Sequence, residues 1–238
     1  YSGAEGKRHR LREGKFWHDP PAYYDPPHGL LTFPIDANDS IVYPAGGMHV
    51  KGHVALVTHQ LRQIRQALAL AHALKRVLIM PPIVCGYDKA WYALSSGRAR
   101  GAFGGAHAFV VPIRNCPLDH VLEVATLSPL DSIREYSFLD NPRTPEAVKR
   151  GVSTTSLAAP VKGSTAEVER LRRDFTSVKV LHVSNAGMVN MYDYLSEQET
   201  RAFVKKFKHA NGGWCCAPTE DKDRGEQNGA RFQLLRLG

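Results

Sequence analysis

The residues best suited to chemistry stand close together in Thr58-His59-Gln60-Leu61-Arg62, with Arg65 one turn further on. If Thr58 caps a helix, His59, Gln60 and Arg62 lie among its unpaired N–H groups, at the positive end of the helix dipole. Such a start binds anions, so His59, Gln60, Arg62 and Arg65 are candidate contacts for the diphosphate of a nucleotide. The plainer reading is that the histidine and glutamine satisfy backbone groups while the arginines coat a solvated face. Gly46-Gly47 lies upstream and does not make a GxGxxG loop.

Asp119-His120 and Arg134-Glu135 are ionisable pairs near element boundaries, which makes Asp119, His120 and Glu135 the catalytic candidates, each able to serve as a general base. Neighbours on a strand point to opposite faces, so no single strand aims both members of a pair at one ligand. Local caps and ion pairs are the plainer account. A metal-dependent sugar transferase is expected to carry Asp-x-Asp after an apolar strand, where two carboxylates hold a divalent ion. The one Asp-x-Asp, Asp221-Lys222-Asp223, falls in a polar tail and reads as solvated charge, while Asp36 and Asp39 have the wrong spacing and read as turn residues. No metal ligands are assigned.

The elements that must position these residues have an α/β pattern, that of a Rossmann-like parallel sheet with flanking helices and long Gly/Pro-rich loops. HVALV at 53–57 reads as a buried strand, residues 59–75 as a helix with Leu61, Ile64, Ala67, Leu68, Ala71 and Leu74 on its apolar face, and VLIM at 77–80 as a second strand. Arg62, Arg65, Gln66, Ala69 and Arg76 fall on the opposite face. Strand, helix and strand in so short a span make a βαβ crossover, the unit of a parallel sheet. AEVERLRRDF at 166–175 and VKVLHV at 178–183 repeat the helix-to-strand passage, which ends in Ser184-Asn185 at the strand's carboxyl end, the edge where open α/β sheets bind ligands. Ser196 and Glu199 form a capping box for a helix reaching about His209, stopped by Asn211-Gly212-Gly213. LLTFPI at 30–35 reads as an edge strand interrupted by Pro34.

Around these elements, residues 1–29 read as an extended Pro-rich arm, 30–216 as the α/β domain and 217–238 as a polar, irregular tail. The stretches 83–117 and 143–163 read as loops. The 238 residues carry a formal charge of +8, but the densest basic run, KRHRLREGK at 7–15, has no interleaved aromatic residues and reads as a solvated arm. Nucleic acid is not the expected partner. No apolar run is long enough to span a bilayer.

Cys85, Cys116, Cys215 and Cys216 show no zinc spacing, and their even number fits either two disulfides in an oxidising compartment or four thiols. Trp214-Cys215-Cys216 reads as a packed, disulfide-capable corner. Asn38-Asp39-Ser40 is an N-glycosylation sequon on a polar turn.

In order, HQLRQIRQALALAHALKRVLIMP, CGYDKAW, CPLDHVLEV, REYSFLDNP and WCC resemble the carboxyl-terminal region of plant and algal arabinosyltransferases of glycosyltransferase family 77, over roughly residues 45–216. The resemblance implies a Golgi-lumenal part of a type II membrane enzyme. Its donor would be a UDP-sugar, and its acceptor a hydroxyproline-rich cell-wall glycoprotein already bearing arabinose. It also implies that the family's divalent cation (Mn) belongs to a separate donor domain amino-terminal to this region. Residues 58–81 are in addition similar to O-fucosyltransferase-like folds, in which a glycine loop precedes the helix; here VALVT stands in its place. A noncatalytic module that binds the acceptor glycopeptide or supports the donor domain is the second expectation.

Overall fold

The computed structural model describes residues 3–45, 50–86, 113–161, 164–214 and 230–233. In chain order the elements are α1 (Gly3–Glu13), α2 (Pro21–Tyr24), β1 (Leu30–Thr32), α3 (Asp39–Val42), α4 (Val50–Ala73), β2 (Val77–Ile79), α5 (Val124–Leu127) and β3 (Ile133–Arg134). Then follow α6 (Glu146–Arg150), β4 (Val152–Thr155), α7 (Ala166–Asp174), β5 (Val180–Val183), α8 (Glu197–Lys206), β6 (Asn211–Trp214) and β7 (Ala230–Gln233).

Five strands form one parallel sheet in the order β3-β2-β1-β5-β4, and β6 pairs with β7 as a separate antiparallel ribbon. The expected Rossmann-like parallel sheet with flanking helices is the fold. Side chains alternate across it: Leu31, Leu78, Ile133, Leu181 and Val183 enter the main core with α4, while Leu30, Val77, Ile79 and Val180 pack on the other face with Tyr24, Phe138 and Val148. Both faces are covered, as parallel strands require.

Several sequence expectations are corrected. HVALV is not a strand; residues 53–57 belong to α4, a helix of 24 residues. The crossover is therefore β1-α4-β2, and LLT at 30–32 is the central strand rather than an edge, ending before Pro34 can interrupt the ladder. The far side of α4 is not fully solvated either: Arg65, Gln66 and Ala69 are buried, as is Arg76 just beyond the helix, while Arg62 is exposed. Phe203 of α8, Phe207 just beyond its end and Met191 join the same core, so α4 is enclosed by the sheet and by a second layer.

The amino-terminal region is not without regular structure. The basic run at 7–15 lies largely in α1, whose His9 and Glu13 are buried and whose Glu13 accepts from the Leu118 N–H at 3.1 Å. Residues 143–163 contain α6 and β4, and part of the tail forms β7. The helix at 166–174, strands β2 and β5 and the Ser196–Glu199 capping box are as expected, with both box hydrogen bonds present. The helix that the box starts gives way at 211–214 to β6 rather than to a glycine turn.

Candidate functional site at the carboxyl edge of the sheet

Strand order runs outward from β1 through β2 to β3 on one side, and β5 and β4 fill the other. The reversal falls between β1 and β5, and in open α/β sheets the crevice beyond that point takes the ligand. The chain leaving β1 there is Phe33-Pro34-Ile35-Asp36, and the chain leaving β5 is Ser184-Asn185-Ala186-Gly187. The two loops touch: a Cβ on Gly187 would lie 2.9 Å from the Phe33 ring and 3.1 Å from the Gln63 Cβ.

Three glutamines of α4 hold the strand-end loops. Gln60 accepts from the Val84 N–H and donates to the Val84 carbonyl, both at 2.8 Å, fixing the chain that leaves β2. Gln63 does the same for Asp36 after β1, accepting from its N–H at 2.8 Å and donating to its carbonyl at 2.7 Å. Gln66 accepts from the Met191 N–H at 2.9 Å, in the segment after β5. At spacings of three, these side chains share one side of the helix. The HQLRQIRQ motif thus positions loops.

Of the expected anion contacts, none lies at a helix start, because α4 begins at Val50. The capping argument for Thr58 is overturned, and with it the dipole contribution, which fades within the first turn. Gln60 is buried and bound to Val84 and to the Leu56 carbonyl. Arg65 is buried with its guanidinium 6.0 Å from the Tyr192 ring centroid. His59 and Arg62 reach the surface, half-buried and exposed respectively.

His59 Nε2 lies 3.1 Å from Asp36 Oδ2. Asp36, read from the sequence as a turn residue, is thus the functional candidate that sequence reasoning missed. Its carboxyl is held below the usual range by the Asn38 N–H and by His59. The one sequence signal was its place four residues past the end of a strand.

Asp119, His120 and Glu135 are all buried. The first two form a turn of 3-10 helix at Leu118–His120 beneath α1, and Glu135 Oε2 accepts from the Tyr23 hydroxyl at 2.6 Å. Burial pushes the Glu135 carboxyl above its usual range. Ser184 is exposed, while Asn185 bonds the Leu157 backbone twice, at 2.8 and 2.9 Å, tying the β5 loop to the chain after β4. The Asn38 side chain accepts from Ser40 N and Oγ.

Cys85 and Cys116 form a disulfide. Cys215 and Cys216, like Asp221-Lys222-Asp223, lie outside the described residues. Among the described residues no three His, Cys, Asp or Glu side chains gather as a metal set. Nor is any described helix long and apolar enough to cross a membrane.

Cavities of about 630 and 230 Å³ share Lys75 and Arg76 at the opposite, amino edge of the sheet. Their cationic groups serve the fold: Arg76 donates to the Leu30, Val178 and Phe175 carbonyls, and Arg172 to the Ala73 carbonyl that ends α4. Positive charge at a helix carboxyl end is a stabilising arrangement.

A parallel sheet covered on both faces, whose strand order reverses beside the Asp36–His59 pair, is a Rossmann-like α/β fold. The chain is 36% identical over 248 aligned residues to Arabinosyltransferase XEG113 of Arabidopsis thaliana, covering 91% of this chain and 37% of that protein. The chain is thus related to the arabinosyltransferases, and it spans a little over a third of that relative's length. No protein-family model and no solved structure matches it.

Proposed function

We propose that this chain is the sugar-handling region of a glycosyltransferase that passes arabinose from a UDP-linked donor to arabinosides on hydroxyproline-rich cell-wall glycoproteins. The carrying observation is the reversal of strand order at β1 and β5, lined by Asp36 and His59, in a homologue of a protein named as an arabinosyltransferase. On this reading His59 and Arg62 supply the exposed contacts, Gln60 holds the loop after β2, Arg65 lies against Tyr192, and Asn185, next to the exposed Ser184, ties down the loop after β5. The Cys85–Cys116 disulfide fits an oxidising compartment, in keeping with the Golgi lumen. The Asn38 sequon suits the same compartment. The divalent cation (Mn) that the family resemblance implies is assigned to a part of the parent protein outside this chain.

Calorimetry of this chain with UDP-sugars and GDP-sugars tests the donor assignment, together with transfer by the parent carrying Arg62→Ala. Heat with a UDP-sugar and reduced transfer are expected. No heat and unchanged transfer would remove the assignment.

A second reading is favoured by the same region: the chain leaving β1 is FPIDAND rather than a glycine loop, and the described residues lack a metal set. On that reading the chain is a noncatalytic module that holds the acceptor glycopeptide. Binding to arabinosylated glycans without turnover supports it, and sugar transfer by the chain on its own excludes it.

A further inference from the structure

An aspartate on a surface loop ordinarily samples several rotamers, and fixing it costs conformational entropy whenever a ligand binds. Asp36 is fixed before any ligand arrives. Its N–H and carbonyl are both engaged by Gln63, its Oδ1 accepts from the Asn38 N–H at 2.8 Å, and its Oδ2 lies 3.1 Å from His59 Nε2. Gln63 is itself buried and backed by Gly187, whose missing Cβ lets the β5 loop come this close. The clamp is therefore built from inside the core outward.

What the clamp presents is acceptor capacity. The Asp36 side chain is 52% exposed and that of His59 33%, so both groups face solvent at the edge where the strand order reverses. An ionised carboxylate has about four lone-pair sites, and the bonds to Asn38 and His59 occupy one on each oxygen. A lone pair remains on each oxygen, capacity enough for two adjacent O–H donors. A diphosphate has no such donors, and its charge would be repelled by the carboxylate at contact distance.

We propose that Asp36, oriented by Gln63 and flanked by His59, binds a vicinal diol of an arabinose ring, and that any nucleotide, its ribose included, lies elsewhere. This rests on the reading of the region as sugar-handling, and it assigns the β1 loop to the sugar instead of the diphosphate. The carboxylate form is the one present at neutral pH, since the Asn38 N–H and His59 hold its carboxyl down.

The test is an amide chemical-shift titration of the full chain with methyl arabinoside, and separately with UDP, for the native protein and Asp36→Asn. The variant keeps the shape and removes the charge and one acceptor pattern. The glycoside is expected to shift amides at 36–38 and 59 and to bind D36N at least about ten-fold more weakly, the loss typical of a hydrogen bond to a charged group. UDP affinity is expected to stay the same or rise. Equal glycoside affinity in both proteins, or no glycoside binding by the native chain, overturns the proposal, as does an equal loss for both ligands. UDP binding with no glycoside binding would leave the donor assignment standing and remove this one. Glycoside binding lost in D36N, with no UDP binding at all, would do the reverse.

Discussion

The Tyr23 hydroxyl donates to Glu135 Oε2 at 2.6 Å, joining the amino-terminal region to the residue that leaves β3. The Tyr23 ring is held by two guanidiniums, with Arg134 3.9 Å and Arg12 4.6 Å from its centroid, and Arg134 Nε donates to the Tyr23 carbonyl at 3.0 Å. Arg12 in turn pairs with Asp19. The first 29 residues are part of the folded unit because polar contacts bind them to its edge.

Removing the tyrosine hydroxyl should expose the cost of that burial. Tyr23→Phe leaves Glu135 without its donor and is expected to lower stability by about 1–3 kcal/mol in urea unfolding. Glu135 has a raised carboxyl pKa in the folded state, caused first by burial. Its contribution is therefore fully present below the ordinary carboxyl pKa and is lost as pH rises through the raised folded value. Glu135→Gln should remove that loss, seen as a flatter stability profile across the window. An unchanged profile would contradict the assignment.

His9 works in the opposite direction. Burial, then the nearby Arg12 and Arg10, lower its pKa to about 4, against 6.5 for the free side chain. Glu13 Oε1 lies 3.6 Å from its Nε2. The neutral ring's contribution is present above 6.5 and declines as pH falls toward 4, by up to about 3 kcal/mol over the window. Urea midpoints of the native chain should fall steeply from pH 6.5 to 4, and those of His9→Phe less so. Trp17, 5.4 Å from the Arg8 guanidinium, offers a local fluorescence signal for α1.

The Cys85–Cys116 disulfide closes a loop with a sequence separation of 31, for which chain entropy gives about 3–4 kcal/mol. Cys85→Ser with Cys116→Ser should lower the urea midpoint by a corresponding amount, and reductant should do the same to the native chain alone. Insensitivity to reductant in the native chain would mean that the bridge contributes little.

Among the described glycines, Gly212 has the tightest surroundings. A Cβ there would lie 1.7 Å from the Val121 carbonyl oxygen and 2.6 Å from its carbon. Backbone cannot yield as a side-chain tip can, so Gly212→Ala should cost more than about 2 kcal/mol and separate β6 from the turn at 118–121. A melting temperature within about a degree of native would refute that contact.

The parallel sheet was legible because β2, β5 and α7 carry clear periodicity and real boundaries. The first crossover was misplaced because residues 53–57 form an apolar run, which periodicity alone does not assign to strand or helix. Yet His53, Leu56, Val57, Gln60, Leu61 and Ile64 continue one helical stripe, and that stripe was the available clue. LLT escaped recognition as the sheet's centre because three residues next to a proline look like an edge. Gln60 reads as an anion contact or a local backbone partner, Gln66 only as part of the face opposite the apolar one, and Gln63 carries no signal, because a side chain that bonds the backbone of a distant loop leaves no local pattern. Asp36 was passed over for the same reason: its partners, His59 and Gln63, are 23 and 27 residues away.

The glutamines at 60, 63 and 66 make α4 a ruler for the molecule's upper rim. Each residue of an α-helix advances about 100° around the axis. Deleting one residue between Gln60 and Gln63 would therefore leave the first loop hooked and swing the other two hooks away together. A chain altered in this way could keep its hydrophobic content and its helix while losing the common height of the loops after β1, β2 and β5. Substitution inside the stripe changes one contact, whereas a change of length there misaligns the whole rim.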